Sequence, residues 1–216
     1  MTREDTRLLV LAKEPVPGMV KTRLSPPCTP DEAAAIARAA LLDTLDTALA
    51  LDLPTVLVLD GDAGSWVPPG IEVVPQRGRG LDERLAAAFE DAGAPGVLVG
   101  MDTPQVSPAL LAGAVESLGD VGTDSVLGRA EDGGWWCIGL RRADPRVFLG
   151  VPMGTSFTGA VQLRRLRALG LRCFELPRLR DVDDFEDAVA VAPSIPGSRF
   201  ASAVLPIAER LESVPR

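Results

Sequence analysis

The sequence contains no histidine and no tyrosine. That removes imidazole general bases, histidine triads, histidine metal sites and phenolic acids from the available chemistry. Cysteine is scarce: Cys28, Cys137 and Cys173 are odd in number and far apart, with no CxxC pair. Neither a disulfide framework nor a zinc site is expected, and a reducing cytoplasm is the expected compartment. Apolar runs are short, the longest being of the kind seen at 97–101, so no membrane span is expected. The polar start, Met1 to Arg7, shows no secretory apolar segment. Lysine is nearly absent: of 22 basic residues only Lys13 and Lys21 are lysine, and both fall in one N-terminal segment. A compact ammonium there does what a planar guanidinium does not, although arginine-biased composition gives the same count without function.

What is present is a balanced globular composition. Over 216 residues, 46% are hydrophobic and 24% charged, enough for one well-buried domain spanning the chain. A net charge of −8 argues against a nucleic-acid backbone as partner. The carboxylate, ammonium, guanidinium, hydroxyl and thiol groups must carry any chemistry.

Strand patterns occur at 7–12, 55–59, 71–74, 97–99, 124–127, 135–140 and 171–176, several of them continuous apolar runs. Helical patterns lie between them, at 30–51, 81–92, 108–118, 158–169, 184–191 and 200–212. Thr29 and Glu32 form a capping box around Pro30, Ser107 caps the third helix, and Gly170 ends the fourth. Alternating strands and helices predict an α/β fold: one doubly wound, mostly parallel sheet with helices on both faces. In the last helix, Leu205, Ile207 and Leu211 suit either a core or an interface.

Ligands in such folds bind beyond the carboxyl ends of the strands. After the first strand, Leu11 and Ala12 lead into Lys13-Glu14-Pro15-Val16-Pro17-Gly18-Met19-Val20-Lys21-Thr22-Arg23-Leu24, with three cations. This is either a solvated basic loop or an anion cradle of Lys13, Lys21 and Arg23. Val20 stands where a Walker A glycine would be, so a P-loop is excluded. After the third strand, Gly78 and Gly80 give only part of a dinucleotide fingerprint, because Glu83 takes the third glycine position. Gly100-Met101-Asp102-Thr103-Pro104 puts a carboxylate at a strand tip, as a turn former or as a magnesium ligand. Asp132-Gly133-Gly134 reads as a hairpin turn before Trp135 and Trp136, which must face opposite sides of a strand. Asp181 and Asp183 alternate in an extended stretch, and Asp184 and Asp187 open a helix.

In this order the segments 12–24, 76–84, 100–104, 128–134 and 181–184 resemble the glycosyltransferase-like proteins (DUF2064 type) of the GT-A nucleotide-transferase superfamily. Their relatives include the guanylyltransferase that activates phospholactate or phosphoenolpyruvate in deazaflavin cofactor synthesis. The resemblance implies a nucleotide-diphospho-sugar transferase-like fold. It implies that Lys13, Lys21 and Arg23 hold nucleotide phosphates along Leu11 and Ala12, and that Gln76, Gly78, Gly80 and Leu81 contact base or ribose. Asp102 would bind magnesium (manganese as the alternative), with Asp181 and Asp183 completing the site. Asp132, Gly133, Gly134 and Trp135 would face the acceptor. Pro104 replaces the second aspartate of the Asp-x-Asp found in many glycosyltransferases of this fold. The expected activity is therefore nucleotidyl transfer from a nucleoside triphosphate to a small anionic acceptor, with release of pyrophosphate. Glycosyl transfer from a nucleotide-sugar is the alternative, and a non-catalytic nucleotide-binding module the third reading. Neither a nucleic acid nor a membrane is an expected partner.

Overall fold

The computed structural model describes residues 5–213; the first four and last three positions, including part of the polar Met1–Arg7 start, lie outside it. Seven strands form one sheet: β1 (Arg7–Lys13), β2 (Thr55–Asp60), β3 (Glu72–Pro75), β4 (Gly96–Gly100), β5 (Ser125–Ala130), β6 (Trp135–Leu140) and β7 (Cys173–Leu179). Their spatial order is β3-β2-β1-β4-β6-β5-β7. All neighbours run parallel except β6, which is antiparallel to both β4 and β5. The α/β class and the mostly parallel sheet expected from the alternating pattern are what the chain adopts.

The chain winds from β1 outward to β3, then returns to place β4 on the other side of β1. This reversal makes the β1–β4 boundary a topological switch point, where a crevice opens at the carboxyl ends. Because β6 is reversed, its first residue, Trp135, lies at the same edge as the last residues of β1, β4, β5 and β7.

Helices α1 (Pro30–Leu49), α2 (Leu81–Ala92), α3 (Pro108–Gly119) and α4 (Thr158–Ala168) cover the sheet, and α5 (Phe185–Val191) and α6 (Arg199–Glu212) pack in turn against α1. Side-chain alternation decides which face each strand residue serves. Leu8, Val10, Leu57 and Val99 pack with α1 and α3 through Leu41, Leu45 and Leu111. Leu9, Val58, Leu98 and Ile138 pack on the other face with Leu85 and Phe89 of α2 and with Leu166 of α4. The Phe89 and Phe148 rings stack there, their centroids 5.5 Å apart.

The caps form as the sequence indicates. Thr29 Oγ1 accepts from the Glu32 amide, and Glu32 accepts from the Thr29 amide. Ser107 accepts from the Leu110 amide, and Gly170 follows α4 at φ 75°. Several element ends shift by one to three residues from the sequence expectation, most of all at β5, which runs to Ala130, and at β7. β7 continues to Leu179 through Pro177, which an edge strand tolerates because no neighbour needs its missing N–H. The Pro177 carbonyl instead accepts a hydrogen bond from the Trp136 indole, 3.0 Å away. α6 docks on the outer face of α1 in a third apolar cluster. Ile207 is buried in it, whereas Leu205 and Leu211 stay partly exposed. No helix among the described residues is long and apolar enough to cross a membrane.

Candidate active site

The two prolines of the segment after β1 keep it out of regular structure until a 3₁₀ turn at Thr22–Leu24. Lys21 precedes that turn in the left-handed region, at φ 48°. This backbone choice turns its side chain inward. The ammonium donates to Asp102 Oδ1 at 2.5 Å and to the Val182 carbonyl, and only 10% of the side chain is exposed. Burial works against the Lys21 charge, but Asp102 and, behind it, Asp181 and Asp183 outweigh that cost and raise its pKa. The Val182 amide donates to the Asp102 carbonyl at 2.9 Å, so strand tip, lysine and the 181–183 segment are tied together. Lys13 and Arg23 are different. Lys13 pairs with Asp60 at 3.8 Å and Arg23 with Asp183 at 3.1 Å, their side chains 55% and 74% exposed. Exposed pairs of this kind are weakly held, and an incoming anion can replace either carboxylate.

Carboxylate oxygens of Asp132, Asp181 and Asp183 lie within 4.8 Å of one another. Each comes from a different turn of chain at the sheet edge or alternates along an extended one, as the Asp181 and Asp183 spacing predicts. Burial first, then the charge of Asp102 and the neighbouring Asp183 and Asp132, push the Asp181 carboxyl up to about 8, with Lys21 opposing. Asp132 Oδ1 accepts from the Gly134 amide at 2.8 Å, which fixes the carboxylate in its turn.

Two clefts meet over this cluster. The first, about 350 Å³, is lined by Lys13, Lys21, Arg23, Arg84, Gln76 and Asp102, over a floor of Leu11 and Ala12. The second, about 420 Å³, is lined by the apolar Leu85, Leu98, Trp135 and Met153 together with Asp132, Asp181 and Asp183. Leu11, Arg23, Leu81, Asp102 and Asp183 line both.

The structure thus gathers most residues singled out from the sequence, in groupings that differ in part from those expected. Asp102 is engaged by Lys21, and it is Asp132, expected on the acceptor side, that groups with Asp181 and Asp183. Lys21 lines the first cleft with its ammonium already paired to Asp102. Gln76 lines the first cleft, but its amide nitrogen already donates to the carbonyls of Ala12 and Val58, at 2.8 and 3.1 Å. Those bonds tie the ends of β1 and β2 together and leave no free donor to read a base. Gly78, at φ 122°, and Gly80 line neither cleft. A Cβ on Gly78 would meet Glu83 Cβ at 2.8 Å, so close approach to the first turn of α2 accounts for this glycine. Gly133 is also set by packing: at φ 95°, its Cβ would lie 1.8 Å from the Ser156 carbonyl oxygen. Gly134 does line the second cleft. Trp136 is buried at 2% exposure while Trp135 reaches the second cleft, the division that strand alternation requires.

Sequence reading missed Arg84 and the segment that carries Met153, Thr155 and Ser156. Arg84 lies on a helical face and pairs with Asp60 at 2.8 Å. Its position one helical turn after Gly80 was the available signal. The 153–156 segment has no motif of its own. It reaches the site because the Gly159 amide bonds the Gly133 carbonyl at 2.8 Å.

Comparison with known proteins places this geometry in context. The family described as "Uncharacterized protein conserved in bacteria (DUF2064)" matches residues 35–155. No curated protein matches the chain. A crystal structure from Desulfovibrio desulfuricans, provisionally described as a nucleotide-diphospho-sugar transferase, is 28% identical, with a TM-score of 0.83 over 99% of this chain and 96% of that one. A cytidylyltransferase from Leptospira borgpetersenii is 15% identical, with a TM-score of 0.57 over 96% of this chain and 95% of the other. The manganese complex of Rv0371C from Mycobacterium tuberculosis is 24% identical, with a TM-score of 0.53 over 88% and 98%. At these identities the last two share the fold alone.

Proposed function

The chain belongs to the DUF2064 family of bacterial proteins, and from that premise we propose that it is a divalent-metal-dependent transferase acting on a nucleotide. Its reaction is transfer of a nucleotidyl group from a nucleoside triphosphate to a small acceptor, with release of pyrophosphate. The observation that carries this reading is the meeting of two unlike clefts over one carboxylate cluster, at the carboxyl edge of the sheet. One cleft is rich in cations and suits phosphates; the other combines apolar side chains with carboxylates and suits an acceptor.

The residues fit a hard divalent cation. Asp132, Asp181 and Asp183 offer only oxygen ligands, within 4.8 Å of one another. Burial first, and then the charge of Asp102, hold the Asp181 carboxyl up at about 8, and a cation bound beside it would offset both costs. These three carboxylates would hold magnesium, with manganese as the alternative; a protein of the same fold carries manganese. When bound, the ion supplies charge neutralisation at the phosphoryl group being transferred. Lys13 and Arg23 exchange their exposed carboxylate partners for phosphate oxygens. Lys21 keeps Asp102 and the 181–183 segment in register, so that both clefts keep their shape. Positioning and charge compensation supply most of the rate, as in phosphoryl transfer generally, and no imidazole is needed.

Glycosyl transfer is the second reading, favoured by the provisional description of the Desulfovibrio protein as a sugar transferase. Product analysis separates the two. Pyrophosphate released from a nucleoside triphosphate supports the first, and nucleoside diphosphate released from a nucleotide-sugar supports the second. In either assay Asp102→Asn and Lys21→Ala lower turnover by about 100-fold or more, the cost of a misplacement on the order of 1 Å at a reacting centre once the 181–183 segment loses its register. Full activity in either variant would remove these residues from the site.

A further inference from the structure

The second cleft has a charge balance that restricts what it can accept. Four carboxylates line it, those of Asp102, Asp132, Asp181 and Asp183, against the single guanidinium of Arg23. Arg23 is paired with Asp183, and Asp102 is paired with Lys21 from the adjoining cleft. Arg23 also lines the first cleft and turns to the nucleotide phosphates in the reaction proposed above, which leaves Asp132, Asp181 and Asp183, and one divalent ion offsets two of these three charges. No cation lining this cleft is left over for a phosphate or carboxylate on the acceptor. Arg129, paired with Glu175, and Arg178 line an adjoining hollow that shares Asp132 and Ser156 with this cleft, but neither arginine lines the cleft itself.

The rest of the lining points the same way. Trp135, Met153, Leu85 and Leu98 belong to one apolar cluster, and the four carboxylates make the remaining lining rich in hydrogen-bond acceptors. Ionised carboxylates accept hydrogen bonds and donate none, so they suit hydroxyl groups. The indole of Trp135 offers a flat face of the kind that packs against a ring. Ser156 is exposed at the rim.

Resting on the transferase reading above, we propose that the acceptor taken by the second cleft is an uncharged, hydroxyl-bearing molecule with one apolar face, not the small anion that family resemblance suggests. The acceptor hydroxyl oxygen forms the new bond to the α-phosphorus. The bond from that phosphorus to the bridging oxygen of pyrophosphate breaks, and the hydroxyl proton leaves to solvent. A protonated amine would also suit the charge, but it has no lone pair with which to attack.

The test uses a matched pair of probes that share an aromatic ring, phenyl β-glucoside and phenyl phosphate. Each is titrated calorimetrically into the full chain with manganese and each common nucleoside triphosphate as its α,β-methylene analogue. The glucoside is expected to bind about tenfold or more tightly than the phosphate, the discrimination that unfavourable juxtaposition of like charges produces. Trp135→Ala weakens glucoside binding by about tenfold through loss of the ring contact. Ser156→Arg, an exposed change, raises affinity for phenyl phosphate by about tenfold by adding the missing cation. Equal or tighter binding of phenyl phosphate to the unaltered chain overturns the proposal, and so does binding of neither probe. Thermal stabilisation by nucleotide and manganese without any probe tests the transferase reading separately. If that stabilisation is absent while the glucoside still binds, the function fails and the acceptor class stands.

Discussion

Replacement of Asp181 by Asn removes a charge that the folded, metal-free protein accommodates poorly, and the cost has a defined pH signature. The Asp181 carboxyl is raised from 3.8 to about 8, chiefly by burial and then by the charge of Asp102. A carboxyl raised on folding contributes its full stability below its unfolded value and loses it as pH rises to the folded value. The stability difference between Asp181→Asn and the natural chain therefore grows from about pH 4 to about pH 8 and is flat above that. The ceiling is about 1.4 kcal/mol per pH unit over that window. Surrounding water and relaxation reduce it to on the order of 2–3 kcal/mol, the scale of a poorly compensated buried polar group. For a chain of this size, about 2–4 °C of Tm accompanies each kcal/mol, so Asp181→Asn in EDTA melts about 5–10 °C higher at pH 8.5 than the natural chain. At pH 4 the two melt together. Added manganese inverts the order, because the natural chain gains a ligand-linked stabilisation that the variant has lost. Thermal unfolding followed by circular dichroism, at half-unit pH steps with and without metal, measures all of this. A Tm difference that does not vary between pH 4 and 8, or manganese stabilisation undiminished in Asp181→Asn, would refute the reasoning.

Three further outcomes are expected. Lys21→Met leaves Asp102 without its 2.5 Å partner and lowers stability. The loss is on the order of 1–3 kcal/mol, below that of a fully buried pair because Asp102 is half exposed, and denaturant titration measures it. Glu32→Ala removes the α1 capping box and the Arg210 contact that ties α6 to α1, at 2.5 Å. The Arg210 hydrogen bond holds the Glu32 carboxyl down at about 2, from 4.5, so its contribution is present above pH 4.5 and lost as pH falls toward 2. The variant should accordingly cost about 1 kcal/mol at pH 7 by denaturant titration and nothing near pH 2. Gly133→Ala sets a Cβ 1.8 Å from the Ser156 carbonyl oxygen in a left-handed backbone, which forces the turn away from α4. Reduced manganese affinity, through displacement of Asp132, reports that movement, and unaltered affinity and Tm would exclude it.

The architecture was largely legible in the chain. Local rules act over a few residues, and they place all seven strands and six helices: alternation and apolar runs for strands, the Thr29–Glu32 box, the Ser107 cap and the Gly170 stop for helices. The edge at which chemistry gathers follows from parallel winding, and the division of labour between Trp135 and Trp136 follows from strand alternation alone. What sequence could not supply was pairing across the fold. Lys21 is a cation in a basic-looking loop until its left-handed backbone aims it at Asp102. Gln76 looks free to read a base until β1 and β2 are set side by side beneath it. Asp132 joins Asp181 and Asp183 only because β5 and β7 run parallel and end together, and Ser156 reaches the second cleft only because α4 begins against the Gly133 turn. Hydrophobic period and capping are properties of neighbouring residues, so the sequence alone determined the elements and their layering. Charge compensation, cleft lining and acceptor chemistry depend on residues tens to more than a hundred positions apart, and these only the tertiary structure decided.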